Sequence, residues 1–316
     1  MVLLDTYRKY ALFAALGITW GSLWLVTGGA TDPVPLICEG ALRFGAAALA
    51  LGIYGLVRRS AGRAGAGNFP YGSGVVLGLG LLAVPYACTA WASGAVHPYL
   101  RATAVGLPAV VYAAMPLVVM LTMREDAGRY LPRLLFGLTG VALLVAQGVA
   151  LDLARWLPEL MLAAGMVVYG LALVFAAGQF GGDKERGGAS NLVPWCALQC
   201  ATAAVALAAV GVLNGDWARF AAQAPASEPG RWMGVALAAG ISAVTLPILY
   251  RVLESLGPIP VATLQWLVTL TGVLEAEIFL PSRWVWENWA GMAMTLGALW
   301  WVLRKERISG TRLLAR

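Results

Sequence analysis

The sequence predicts an all-α integral membrane protein of ten transmembrane helices, built as two inverted five-helix repeats with both termini cytoplasmic. Three observations carry this expectation. Hydrophobic residues make up 60% of the 316 residues and charged residues only 12%, against about 45–50% and about 25% in soluble domains. Apolar runs long enough to cross a bilayer recur ten times, and Lys and Arg collect on alternate connections between them. So few charges cannot cover a soluble protein of this size, which excludes soluble enzymes, nucleic-acid modules and disordered chains. The net charge of +6 then belongs to basic cytoplasmic connections, and no nucleic-acid partner is expected.

A helix needs about 20 mostly apolar residues to cross ~30 Å of hydrocarbon. Runs at 10–29, 35–57, 73–95, 102–123, 133–150, 158–179, 191–213, 232–250, 259–280 and 285–303 meet that length. They are continuous rather than alternating, so they read as helices and not as barrel strands. With the N-terminus inside, 16 of the 22 Lys and Arg residues fall on the cytoplasmic side. Five lie outside (Arg101, Arg155, Arg219, Arg231 and Arg283), and Arg43 lies within a span. A missed or extra helix would invert this bias downstream of it. No cleavage site follows the first span, so it reads as a retained helix.

Taken in order, each span carries its own signal. The first holds Trp20 and Trp24 around Gly21-Ser22. The second holds Glu39 and Arg43 four residues apart, on one helix face. An ionisable group inside a membrane costs roughly 2.5–3.5 kcal/mol on insertion scales. Two readings of this pair stay open: a mutual ion pair that fixes helix register, or a site where Arg43 clamps a carboxylate and Glu39 takes an ammonium group or a proton. The third span holds Pro85, Tyr86, Thr89 and Trp91, and the fourth Pro108, Tyr112 and Pro116. The eighth holds Ser242, Thr245, Pro247 and Tyr250, and the ninth Gln265, Trp266, Glu275 and Glu277. A proline within a span frees a backbone carbonyl and kinks the helix, so Pro85, Pro108, Pro116 and Pro247 are hinge candidates.

Depth relates the charges. At 1.5 Å per residue, Glu39 and Arg43 lie about 6 and 12 Å below the outer face, and Glu275 and Glu277 about 8 and 5 Å. All four are expected in the outer third, where they read either as coupling or gate residues, with Glu275 near enough to pair with Arg43 if helices two and nine meet, or as a solvated helix end, the better reading for Glu277. Cys38, Cys88, Cys196 and Cys200 all fall within spans. With no His or acidic residue beside them they read as small apolar residues, and no metal or cofactor is expected.

Ten spans divide into residues 1–153 and 154–316, and an odd number per half inverts the second. Trp20-Gly21-Ser22-Leu23-Trp24 in span one has a counterpart in Tyr169-Gly170-Leu171-Ala172-Leu173 in span six. The end of span five, from Gly140, has one in the end of span ten, from Gly297.

Leu16-Gly17-Ile18-Thr19-Trp20-Gly21-Ser22 resembles the opening helix of the drug/metabolite transporter superfamily, EamA type. Pro35 with Glu39-Gly40-Ala41-Leu42-Arg43-Phe44 looks like that family's second helix. Val111-Tyr112-Ala113-Ala114-Met115-Pro116-Leu117 looks like its fourth, with the mid-helix proline, although residues 269–271 carry no proline to match it in the ninth. The resemblance implies a secondary transporter in the cytoplasmic (inner) membrane, an exporter of small metabolites such as amino acids. Its cavity is lined mainly by helices one, three, four, six, eight and nine. On that scheme the cavity candidates are Trp20, Trp24, Tyr86, Trp91, Tyr112, Tyr169, Gln265 and Trp266, and the intramembrane charges add Glu39 and Arg43 from the second span.

A small-molecule substrate and the bilayer are the expected partners, and a monomer and a homodimer both stay open. An enzyme is not expected, since Ser93 has no deep His partner: His97 lies in a short outer loop beside Pro98. A passive facilitator is the nearer rival.

Overall fold

The computed structural model describes residues 2–23, 35–61, 71–95, 109–125, 127–146, 156–180, 192–223, 229–279 and 284–313. Almost all of them are helical, and there is no strand among them. The helices are α1 (Val2–Gly21), α2 (Leu36–Ser60), α3 (71–95), α4 (Ala109–Thr122), α5 (Ala127–Val145), α6 (Trp156–Phe180), α7 (Leu192–Leu213), α8 (Pro229–Leu256), α9 (258–279) and α10 (Trp286–Leu313). A short amphipathic helix, Asp216–Gln223, follows α7. It is tied back by Trp217, whose Nε1 donates to the Ala208 carbonyl at 3.0 Å.

Among the described residues, six helices are long and apolar enough to cross a membrane: those within α2, α3, α5, α6, α7 and α8. Their outward faces carry the residues a bilayer would cover, among them Leu49, Ile53 and Leu56 on α2 and Val205 and Val212 on α7. Several helices outrun the apolar runs that announce them. α1 begins at Val2, and α8 continues past Arg251 to Leu256. Hydropathy marks the apolar stretch, whereas backbone hydrogen bonding carries a helix on through its charged ends.

Local sequence explains the ends and breaks. α2 begins after Pro35 and ends in Arg58 and Arg59, cations that suit the negative end of the helix dipole. Gly257, at φ 82°, donates to the Leu253 carbonyl and closes α8, and Pro258 opens α9 at once.

α4 breaks at Ala114. Pro116 has no N–H for the Tyr112 carbonyl, and the Leu117 N–H bonds to Ala114 O instead of Ala113 O. α9 breaks in the same way at Thr263, where the Trp266 N–H bonds to Thr263 O. No proline follows this break at residues 269–271, where a match to the α4 proline would have fallen; Pro258 and Pro260 lie in the opening turn ahead of it, and Thr263 Oγ1 donates to the Pro260 carbonyl at 2.7 Å. α3 is interrupted by a π-helical turn, Gly78–Ala83, just ahead of Pro85. Pro247, by contrast, sits within a continuous α8.

Packing pairs α2 with α7 and α5 with α10. α1 lies against α9 and α8, and α6 lies against α4 and α3. α3 also packs on α7, and α8 on α2, while the opening turn of α9 (Pro258–Ala262) approaches the second half of α4 (Met115–Thr122). Glycines set the closest approaches. A Cβ on Gly21 would lie 2.5 Å from Thr271, and one on Gly78 would lie 2.6 Å from the Gln199 carbonyl.

Candidate functional site

The helices part around a central cavity of about 270 Å³, near the lower end of small-ligand sites. Its wall draws Trp20 and Leu23 from α1, Arg43 and Phe44 from α2, and Leu81, Leu82, Pro85, Tyr86 and Thr89 from α3. Tyr112 of α4, Tyr169 of α6, Cys200 of α7, and Ser242, Thr245, Leu246 and Leu249 of α8 follow, with Gln265 of α9. Most come from well inside their helices, while Trp20 and Leu23 stand at the end of α1 and Tyr112 in the first turn of α4.

Hydrogen bonds stitch this wall across helices. Arg43 Nε donates to Ser242 Oγ at 2.7 Å, and its guanidinium lies 5.2 Å from the Phe44 ring centroid. Trp20 Nε1 donates to Thr245 Oγ1 at 2.9 Å, joining α1 to α8. Thr89 Oγ1 and Tyr112 OH both donate to the Pro85 carbonyl, at 2.9 and 3.1 Å. The Tyr169 hydroxyl lies beside the Gln265 amide. Glu39 is buried behind the wall, where its Oε2 accepts from Tyr86 OH while its Oε1 has no partner among the described residues.

Of the ten cavity candidates, Trp20, Arg43, Tyr86, Tyr112, Tyr169 and Gln265 line this space. Glu39 touches it only through Tyr86. Trp24 and Pro108 lie outside the described residues. Two aromatics are corrected. Trp91 is 42% exposed on the outward face of α3. Trp266 is fully buried in the core, its Nε1 donating at 2.8 Å to the Ala113 carbonyl that the α4 break leaves open. A buried indole N–H needs an acceptor, and this one serves a hinge rather than a ligand.

The outer charge cluster is not assembled. Arg43 has no ion pair within 4 Å among the described residues, neither with Glu39 one turn away nor with Glu275. Glu275 instead accepts from Ser22 Oγ at 2.5 Å, linking α9 to α1 where Gly21 lets the helices close. Arg43 faces α8, which packs on α2, so Ser242 is the group within its reach. Glu277 is half-buried near the end of α9.

Some wall residues carry little signal in sequence. Leu81, Leu82, Leu246 and Leu249 are indistinguishable from the many other leucines of the spans. Gln199 is also silent in sequence, yet it is fully buried and its Oε1 accepts from Tyr250 OH at 2.5 Å. An amide in an apolar run was the one available cue. Beside the cavity, an apolar groove of about 380 Å³ runs between α1 and α8, and Thr245 lines both spaces.

No family model and no curated protein matches this chain. A solved structure described only as "Crystal structure of protein" is similar over 95% of this chain and 99% of its own, at 17% identity and a TM-score of 0.68. That likeness concerns the fold alone.

Proposed function

We propose that the chain is a secondary transporter of the drug/metabolite type, with ten spans in two inverted five-helix repeats and both termini cytoplasmic. It carries a small amphipathic metabolite, amino acids or related compounds, out across the cytoplasmic membrane by alternating access. The observation that carries this reading is the central cavity between helices that break at matching places. The same spacing separates Trp20 from Tyr169, both on the wall, and Ala114 from Thr263, the breaks of α4 and α9.

The packing supports the repeat as well. Exchanging the halves carries the α1–α9 contact onto α6–α4, α1–α8 onto α6–α3, and α2–α8 onto α7–α3. The α2–α7 and α5–α10 pairs map onto themselves. A broken helix at the edge of a central site is a device of transporters with inverted repeats, and Pro85 and Pro116 stand at such irregular turns. Pro247 is the hinge candidate with the least local support, since α8 runs on through it.

Purified protein in proteoliposomes tests the proposal against a panel of labelled metabolites, with and without a pH gradient. Saturable flux with exchange acceleration is expected, and linear flux without exchange would favour a passive facilitator. Glu39 is the first proton-coupling candidate and Glu275 the second. If flux follows the proton gradient, Glu39→Gln is expected to remove that dependence while leaving exchange. Unchanged gradient dependence in both Glu39→Gln and Glu275→Gln would discard carboxylate coupling.

A further inference from the structure

We infer that the central cavity recognises an organic monocarboxylate with an apolar or aromatic body and no amine; this rests on the cavity being the substrate site. The inference comes from which polar groups of the wall remain open to a ligand. Ser242 Oγ donates to the Ala238 carbonyl at 2.8 Å and accepts from Arg43 Nε. Thr245 Oγ1 donates to the Ile241 carbonyl at 2.7 Å and accepts from Trp20. Thr89 and Tyr112 both donate to Pro85, and Tyr86 donates to Glu39. The hydroxyl protons of these five residues are therefore engaged.

Tyr169 and Gln265 lie against each other in the wall, so the charged group that remains is the Arg43 guanidinium. It lines the cavity with only Nε bonded among the described residues, leaving Nη1 and Nη2 as donors without an acceptor. Those two nitrogens form the end-on fork that matches the two oxygens of a carboxylate. To a cation the wall offers the neutral Gln265 amide and ring faces, but no carboxylate. Glu39, the nearest carboxylate in sequence, stands behind Tyr86 and does not line the space. An ammonium group would sit beside the Arg43 guanidinium in an apolar cavity, where like charges repel, with Glu39 near enough to act on that guanidinium but engaged by Tyr86 behind the wall. The rest of the wall is rings and aliphatic side chains, which suits an apolar body. This narrows the substrate to amphipathic metabolites carrying a negative charge alone, and so sets amino acids aside in favour of related carboxylates.

Three compounds on one carbon skeleton isolate the charge: 3-phenylpropionate, phenylalanine and phenethylamine. Binding to the purified full chain is read by tryptophan quenching, with Trp20 in the wall, and by thermal shift. Phenylpropionate is expected to bind at least about tenfold tighter than either amine-bearing compound, the scale of one charge-assisted hydrogen bond. Arg43→Gln, checked for helicity and monodispersity, is expected to lose about tenfold or more of that affinity, and Arg43→Lys to keep part of it. Phenethylamine or phenylalanine binding as tightly as phenylpropionate overturns the inference, and this comparison needs no variant. Absence of phenylpropionate binding overturns it too, as does full binding by folded Arg43→Gln. Carboxylate binding without any flux in proteoliposomes would overturn the transporter reading and leave this one standing. Saturable flux of an amine would do the reverse.

Discussion

Where α5 meets α10, glycine lets backbone touch backbone; around the central cavity, rings and hydroxyls hold several helices apart. A Cβ on Gly291 would lie 2.4 Å from the Leu144 nitrogen, and one on Gly140 would lie 2.7 Å from the Thr295 nitrogen. Asn288 Nδ2 adds a bond to the Leu144 carbonyl at 2.8 Å. The guanidinium of Arg133, itself buried, lies over Trp301. The cavity wall shows the other pattern. Among its interhelical contacts are single bonds between side-chain tips, Arg43–Ser242 and Trp20–Thr245, beside the close glycine approaches at Gly21 and Gly78. One region has its backbones locked at contact distance, and the other is tied by bonds that can be exchanged one at a time. Helices that must move around a substrate need the second kind of contact, and a frame needs the first.

The largest effect on stability is therefore expected in the seam. Gly291→Ala places a methyl group against backbone that cannot swing aside, at a cost of about 3 kcal/mol, the upper end for overpacking. Thermal unfolding in detergent should fall steeply, while protein that stays folded keeps the wild-type order of ligand affinities. Arg43→Gln should do the opposite, with affinity lost and melting little changed. If Gly291→Ala melts like wild type, the seam is not the fixed frame and the contrast fails.

Trp266 stands between the two regions and gives the next largest effect. Its ring packs where a Cβ on Gly137 of α5 would fall, 2.3 Å from Cη2, and its Nε1 takes the Ala113 carbonyl next to Tyr112 of the wall. Trp266→Phe leaves that carbonyl buried and unsatisfied, at a cost of about 1–3 kcal/mol. Both melting temperature and transport rate should drop, since the α4 break loses its brace. A loss confined to melting would place Trp266 wholly in the frame.

How far these regions were legible in the sequence follows from what each depends on. The spans were legible because burial in lipid demands long apolar runs, and Arg43 stood out because a lone cation in such a run is costly. Trp20 and Tyr169 were legible through their matching place before Gly21 and Gly170. Trp91 and Trp266 were misplaced because sequence gives depth but not the direction a helix faces. The Arg43–Glu275 pairing was misjudged for a related reason: depth sets which charges are level, and helix neighbours decide which ones meet. Gly257-Pro258-Ile259-Pro260 announces where α8 ends and α9 begins, whereas the α9 break at Thr263 has no following proline to announce it. The seam glycines were silent, because small-residue spacing recurs by chance in a chain with 38 glycines.

The smallest effect is expected at Thr245, and it tests the cavity side of the contrast most sharply. Thr245 is shared between the cavity and the apolar α1–α8 groove, and its hydroxyl is the acceptor for Trp20. Thr245→Val keeps the shape and removes that acceptor, a change of about 1 kcal/mol. If wall contacts are exchangeable, the indole N–H finds another acceptor or water in the cavity, and melting falls by no more than that amount. The KM for flux should then shift by about fivefold or less, with kcat changed in step if the Trp20–Thr245 bond must break in each cycle. A collapse in stability as deep as that of Gly291→Ala would mean that α1 and α8 are locked as firmly as α5 and α10. Motion around the cavity would then have to come from the α4 and α9 breaks alone.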